Sequence, residues 1–391
     1  MEKSQEPKKK IAFVHDFLVS YGGAERVLES LVKLDPDAPI YVLLADERIV
    51  RERFAGHEIR TSFLQKLPKF FRKRYRLLLP FFAVAAESMD FRDFDVVISS
   101  SGAWSKGIVT RLKTTHIAYL HSPMRFLWDA NEGYFDAVGL GGYRRFFGRI
   151  LLSYLRVWDR EAAERPDILI SNSAFTHARV LKYYRRDSGI VIPPVTLMDD
   201  SHPSSSKTRE LPSERGAGER EDFFLVVARL TESKGVGAAI DAFDKLGLPL
   251  RIVGEGRERK KLQRRTGPSV RLEGAVDDKT LVSLYRRARA VIVPSEEDFG
   301  LAAAEALSFG TPVITLGRGG SLEVVEEGIS GEFFREATAE VIAATVRRFI
   351  ERGNDAYVID REAIRKRYSE ERFLSEWKEQ IERAGTDIER I

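Results

Sequence analysis

Two carboxylates, Glu297 and Glu305, stand eight positions apart in the stretch PSEEDFGLAAAEALSFGTPVITLGRGG, Pro294 to Gly320. The apolar run Ala290 to Val293 predicts a strand leading in, and Phe299-Gly300-Leu301 predicts the opening of a helix that carries Glu305. Gly310 predicts its end, and Thr311-Pro312 turns the chain into a further strand, Val313 to Leu316. A helix N-terminus at the carboxyl end of a strand offers free amides and the positive end of a dipole, so it favours an anion. Two nearby carboxylates cannot hold that anion, but they can accept hydrogen bonds from several hydroxyls. An anion and a polyol together describe a nucleotide sugar. Acids near a helix start are also what the dipole favours on any surface. The glycines bracketing this helix allow close backbone approach and favour the binding reading.

A second cluster supplies the charge that a diphosphate needs. Arg229 and Lys234 lie in ARLTESKG, directly after the predicted strand Phe223–Ala228. Open α/β sheets bind ligands at the carboxyl ends of their strands, and two cations there can neutralise a departing diphosphate. The same residues also suit a solvated basic loop. Tyr21-Gly22-Gly23-Ala24-Glu25 follows the first predicted strand and opens the first predicted helix. Paired glycines can bring amides against a phosphate, although the spacing is not that of the dinucleotide fingerprint and a plain turn fits as well. His121, in AYLHSPMRFLWD, ends the predicted strand His116–Leu120. It can face a cleft and serve in hydrogen bonding or acid–base work, or be a partly buried structural histidine. Arg125, Trp128 and Asp129 follow closely enough to line the same cleft or to pack the loop. Asp35-x-Asp37 and Asp93-x-Asp95 precede strands rather than follow them and read as loop residues, and no metal-ligand spacing is visible.

The elements that must position these residues alternate along the chain, which predicts parallel α/β layers. Expected strands in the first half are Ile11–His15, Ile40–Leu44, Val96–Ser99, His116–Leu120, Ile168–Ser171 and Ile190–Ile192, with helices over Ala24–Leu34 and about Phe146–Glu164. The second half repeats the alternation from Phe223, with helices expected over Val236–Leu246, Arg257–Arg265 and Lys279–Ala288. At 391 residues the chain fits two domains. The expected division is 1–197, a polar linker at 198–222 rich in Ser, Pro, Gly and charge, and 223–368. Residues 369–391 read as an amphipathic helix with Phe373, Leu374, Trp377 and Ile381 at helical spacing.

Composition limits the rest. The chain is 43% hydrophobic and 31% charged with a net charge of +4, ordinary for a soluble globular protein. It has no cysteine, which excludes disulfides, thiol nucleophiles and thiolate zinc sites. No signal peptide is legible, and no stretch reaches the roughly 18 apolar residues needed to span a bilayer. The segment Arg60 to Arg76 contains no acid and interleaves Lys69, Arg72, Lys73 and Arg74 with Phe and Leu. That pattern suits an anionic membrane surface, a nucleic-acid backbone, or a basic helical face in water.

These motifs together resemble the retaining glycosyltransferases of family 4, which have the GT-B architecture of two Rossmann-like parallel-sheet domains facing a cleft. The resemblance rests on Glu297-x7-Glu305 with Phe299-Gly300, Gly310-Thr311-Pro312-Val313-Ile314, and Gly319-Gly320 with Glu323. Gly22-Gly23-Ala24-Glu25, the Arg229/Lys234 pair and Ser171-Asn172-Ser173 agree. The LHSPMRFLWD stretch looks closest to bacterial surface-polysaccharide mannosyltransferases. The glycine usual before the arginine is Ala228 here, and Val195-Thr196-Leu197 replaces the usual short connector bearing an aspartate.

By that resemblance Glu305 should bind ribose hydroxyls, and Glu297 should hold the sugar, with the amides of Phe299, Gly300 and Leu301 near the sugar and phosphate. Arg229 and Lys234 should neutralise the diphosphate, aided by Gly22 or Gly23, and His121 should touch the sugar near the reacting carbon. The C-terminal helix would cross back to the first domain. Arg125, Trp128, Asp129 and Ser173 are expected separately, as acceptor-side or cleft residues. The implied reaction is metal-independent transfer, with retained configuration, from a GDP- or UDP-linked sugar to a saccharide or lipid-linked acceptor. GDP-mannose is the expected donor. No cofactor or nucleic acid is expected. The expected location is the cytoplasm, with peripheral contact to the inner face of its membrane through Lys69, Arg72, Lys73 and Arg74. Two other readings are a nucleotide-sugar epimerase of the same fold and an inactive membrane-associated binding protein.

Overall fold

A computed structural model describes residues 9–129, 142–197 and 221–388. The linker expected at 198–222 therefore lies almost wholly outside the described residues. The chain forms two compact units, Met1–Pro194 with Glu371–Ile391, and Val195–Glu370.

The first unit is built on seven parallel strands: β1 Ile11–Leu18, β2 Ile40–Ala45, β3 Ile59–Thr61, β4 Val96–Ser101, β5 Thr115–Leu120, β6 Ile168–Ser171 and β7 Gly189–Ile190. Their spatial order is β3-β2-β1-β4-β5-β6-β7. Every residue of β4 and β5 is buried. Burial on both faces is the rule for parallel strands covered by helices, and here it extends to Ser99, Ser100 and Ser101 of β4 and to Thr115 and His116 of β5. The C-terminal helix Glu370–Ile388 contributes Phe373 and Trp377 to this unit's core, both without exposed surface. Their rings meet Tyr119 of β5 at centroid distances of 6.1 and 5.6 Å. Arg372 fixes the start of that helix by donating to the Ile192 carbonyl at 2.6 Å.

The second unit has six parallel strands: β8 Phe224–Val227, β9 Leu250–Val253, β10 Val270–Gly274, β11 Val291–Val293, β12 Val313–Leu316 and β13 Gly331–Phe334. Their order is β10-β9-β8-β11-β12-β13. Helices Val236–Leu246 and Ala339–Arg352 close one core over this sheet, around Phe224, Phe243 and Phe349.

The elements differ from expectation mainly at their ends. The helix expected at Arg257–Arg265 is the single turn-and-a-half Arg259–Gln263. The helix expected at Ala24–Leu34 is α-helical over Gly23–Leu31 and tightens to a 3₁₀ turn over Val32–Leu34. The strand expected at Ile190–Ile192 pairs only over Gly189–Ile190. The basic segment is no single helix. It runs through β3, a 3₁₀ turn at Phe63–Lys66, a short helix Lys69–Lys73 and a 3₁₀ stretch Tyr75–Phe81 with Pro80 inside it.

Candidate functional site

In both sheets the strand order reverses direction between two central strands, β1 and β4 in the first and β8 and β11 in the second. The crevice at the carboxyl ends of such strands is where open α/β sheets receive ligands, because the connections leave in opposite directions and part there. Gly22 and Gly23 follow β1 at the first of these places, and Arg229, Lys234, Glu297 and Glu305 follow β8 and β11 at the second.

In the second unit Lys234 and Glu297 meet across the β8/β11 reversal. The Lys234 Nζ lies 2.7 Å from Glu297 Oε1 and 2.6 Å from Oε2, and Ser295 Oγ donates to Oε1 at 2.5 Å. The two loops can approach because of Gly235. It has φ +63°, and a Cβ there would stand 2.3 Å from the Pro294 carbonyl oxygen. Behind the carboxylate, the Gly320 amide donates to the Glu297 carbonyl at 2.8 Å. An ammonium has three donors, and two are committed to Glu297, so one remains for a phosphate. Arg229 is exposed at the start of the loop that follows β8. That loop is held by the next one. Leu230 donates its amide to the Glu255 carbonyl at 2.9 Å, and a Cβ at Gly254, φ +140°, would lie 1.9 Å from the Ala228 oxygen.

The helix after β11 spans Leu301–Ser308, with Gly300 as its N-cap at φ +97°. A glycine cap has no side chain to occupy the first-turn amides. Glu305 lies within the helix and is buried, and the fully buried Tyr285 donates its hydroxyl to Oε2 at 2.7 Å. Phe299 is buried against Tyr368, with ring centroids 5.8 Å apart. Phe299 thus packs its side chain and has only its backbone to offer a ligand.

In the first unit the β1/β4 reversal holds a histidine pair. His121 follows β5, and its Nε2 lies 2.8 Å from Ser100 Oγ. His15 of β1 places Nδ1 2.9 Å from the Ser100 carbonyl oxygen and 3.2 Å from Ser100 Oγ. Its Nε2 faces Glu25 Oε1 of the first helix at 3.8 Å. A carbonyl only accepts, so His15 Nδ1 carries a proton. The Ser100 hydroxyl is then free to donate to His121 Nε2, and that direction of the bond would leave the proton of neutral His121 on Nδ1.

Burial pushes the His121 pKa down to about 4, and the neighbouring His15 acts in the same direction. Burial opposes charge on His15 too, but Glu25, Asp16 and the Ser100 carbonyl outweigh it and raise its pKa. Asp16 holds the loop after β4 by accepting the amides of Gly102, Trp104 and Ser105 at 2.7 to 2.8 Å. The His121 carbonyl accepts from Asn172 Nδ2 at 3.1 Å.

The other first-unit residues have structural partners. Gly22 is the N-cap of helix Gly23–Leu31 in an extended conformation. Ser173 caps helix Ala174–Tyr184 by accepting the Thr176 amide. Trp128 stacks on Tyr183 and donates its indole N–H at 2.7 Å to Asp159, which in turn pairs with buried Lys106 at 2.5 Å. Asp129 pairs with Arg179 at 2.6 Å and faces Arg125 at 3.6 Å. Lys69 and Arg74 are exposed, Arg72 is half-buried, and the Lys73 side chain lies outside the described residues.

The residues that sequence reasoning passed over are His15, Asp16, Ser100, Tyr285 and the Gly254-Glu255-Gly256 turn. Some signal existed. A His-Asp pair interrupts the apolar strand IAFVHDFL, three serines end the otherwise apolar VVISSS, and a Gly-x-Gly follows β9.

Comparison with known proteins agrees with this arrangement. Residues 21–195 match the model described as Glycosyltransferase Family 4, and residues 207–367 match Glycosyl transferases group 1. Glycogen synthase of Mycobacterium tuberculosis is 36% identical over 138 residues, 32% of this chain and 33% of that protein. O-antigen chain mannosyltransferase C of Escherichia coli is 28% identical over 193 residues, 47% of this chain and 50% of that protein. The matched regions thus span a third to a half of these curated relatives.

Among solved structures, the Anabaena protein HepE in complex with UDP and glucose superposes with a TM-score of 0.67 at 15% identity, over 96% of this chain and 99% of that one. Sucrose-phosphate synthase of Thermosynechococcus elongatus gives 0.68 at 16% identity, over 97% and 100%. Two parallel sheets, each carrying its polar residues at the strand reversal, and two family models matching most of the chain between them lead to one assignment: the chain belongs to glycosyltransferase family 4 and has the GT-B fold.

Proposed function

We propose that the protein transfers a glycosyl unit from a nucleoside diphosphate sugar to an acceptor hydroxyl, with retained anomeric configuration and without a metal. The observation that carries this reading is the Lys234–Glu297 pair at the β8/β11 reversal, which sets a cation and a hydroxyl acceptor side by side. In the reaction the bond from the anomeric carbon to the phosphate oxygen breaks and the bond to the acceptor oxygen forms. The acceptor proton passes to the departing phosphate on the same face. Lys234 and Arg229 neutralise that phosphate. Glu297 accepts from sugar hydroxyls, and Glu305, oriented by Tyr285, accepts from the ribose. In the same proposal the first unit contributes His121 to the sugar, the amides of Gly22 and Gly23 to the diphosphate, and Arg125 to the acceptor.

The mannosyltransferase relative supports GDP-mannose as donor and a saccharide or lipid-linked acceptor in surface glycan synthesis. The UDP in the HepE structure supports the nucleotide-sugar class as a whole.

The test is turnover of GDP-mannose and UDP-glucose with EDTA present, followed by nucleotide release. Lys234→Ala and Arg229→Ala should each lower the rate by roughly a hundredfold or more, the scale of removing a charge stabiliser of the transition state. Glu305→Ala should mainly weaken nucleotide binding. If all three variants kept the wild-type rate, the assignment of these residues would fail. Sugar isomerisation without any acceptor would point instead to an epimerase.

A further inference from the structure

The long helix Gly142–Glu164 of the first unit is apolar on two faces. Its inner face, with Leu152, Leu155 and Trp158, is buried in a side core shared with Leu64, Leu78 and Phe82. Its outer face presents Phe146, Phe147, Ile150, Tyr154 and Val157, each more than half exposed. Their spacing places them on one stripe of a helix with a 3.6-residue period, and exposed Arg149 and Arg160 flank it. A second apolar surface lies over the same side core. Phe70, Leu77, Phe81 and Val84 are also more than half exposed, and Lys66, Lys69 and Arg74 are exposed among them. The two elements are pinned together where Trp158 Nε1 and Arg165 Nη2 donate to Glu87 at 2.8 and 2.7 Å.

Charge gives the occupant. No acid occurs from Ile59 to Ala86, nor from Gly142 to Trp158. The first acid of the helix, Asp159, is buried against Lys106, and the exposed Glu161 and Glu164 stand only in its last turn. Exposed aromatic and aliphatic groups among cations, without acids, suit the headgroup and acyl boundary of an anionic bilayer. An apolar stripe seeking a second copy of itself would bring cations against cations. Among the described residues no helix is long and apolar enough to cross a membrane, so contact would be peripheral.

We infer that the outer faces of helix Gly142–Glu164 and of segment 66–84 form one surface that seats on anionic lipid. The inference does not depend on the transfer reading.

The test uses the full chain and two vesicle types, pure phosphatidylcholine and phosphatidylcholine mixed with phosphatidylglycerol, in a flotation assay. The wild type should float with the mixed vesicles, and high salt should weaken this. The variant Phe147→Ser/Ile150→Ser/Tyr154→Ser and the variant Lys69→Glu/Arg74→Glu should each bind about tenfold or more weakly, the scale of losing a few interfacial contacts. All substituted side chains are exposed, and circular dichroism with the melting temperature verifies folding. Binding of the wild type to neither vesicle would overturn the proposal. So would equal binding by the helix variant, which would leave the basic segment acting alone. A wild-type dimer that the helix variant makes monomeric, without vesicle binding, would show a self-association face and would also overturn it. Failure here leaves nucleotide turnover untouched, so the two readings fail separately.

Discussion

His121 and Lys234 show how a partner decides what a reactive side chain can do. His121 Nε2 pairs with the Ser100 hydroxyl while His15 Nδ1 is committed to the Ser100 carbonyl, and we take the hydroxyl as the donor to Nε2. Nitrogen NMR of the side chain should therefore find the His121 proton on Nδ1. Ser100→Ala should move the ring toward the other tautomer and lower turnover by about tenfold with little change in KM, the scale of one hydrogen bond. Ser100→Thr should restore both. An unchanged tautomer in Ser100→Ala would contradict the assignment. Lys234 and Glu297 act as a unit, with both carboxylate oxygens on one ammonium. A double-mutant cycle with Lys234→Ala and Glu297→Ala should give a coupling of about 1–3 kcal/mol, as for residues in direct contact. Additive effects would mean the pair has no joint role. The sequence showed both acids and both cations but not that Lys234 and Glu297 are partners. Sixty-three positions separate them, and only the order of strands β8 and β11 brings them together.

At the scale of elements, periodic apolar runs were legible wherever a strand or helix was long and buried. Strands β4 and β5 and helix Val236–Leu246 stand close to where the pattern put them. The edge strands β3 and β13 were not. β3 and β13 have three and four residues, too few for a period to register, and each lies on the edge of its sheet. The C-terminal helix was visible as a stripe of Phe373, Leu374, Trp377 and Ile381, since a helix must bury such a stripe somewhere. Trp377→Ala removes a fully buried indole and should cost about 3–5 kcal/mol. Hydrogen exchange should then show lost protection in β5, whose Tyr119 meets the indole, with β8 and β9 unchanged. Equal loss in β8 and β9 would contradict a core confined to the first unit. Gly235→Ala tests the loop contact in the second unit. Its left-handed φ and the 2.3 Å approach to Pro294 should make this small change cost about 2 kcal/mol or more, and lower turnover with it.

For the whole molecule, histidines with lowered pKa values set an acid limit. His116 and His121 have pKa values pushed down, to about 3 and about 4, chiefly by burial. Both are neutral when folded and take up a proton on unfolding as pH falls below about 6.5. Each should therefore subtract stability by about 1.4 kcal/mol per pH unit between pH 6.5 and its folded value. His15 opposes them, because its raised pKa contributes stability that is present at low pH and lost as pH rises through the folded value. Denaturant melts of His116→Gln and wild type between pH 7 and 4 should diverge, with the variant showing the shallower acid loss; parallel curves would contradict the burial argument. The most direct test of the central claim, that the β8/β11 reversal binds a nucleoside diphosphate, is calorimetric titration with GDP, UDP and ADP in EDTA. One of them should bind saturably, and Lys234→Ala and Glu305→Ala should each weaken that binding. No binding of any nucleotide by the wild type, or equal binding by the wild type and both variants, would contradict it.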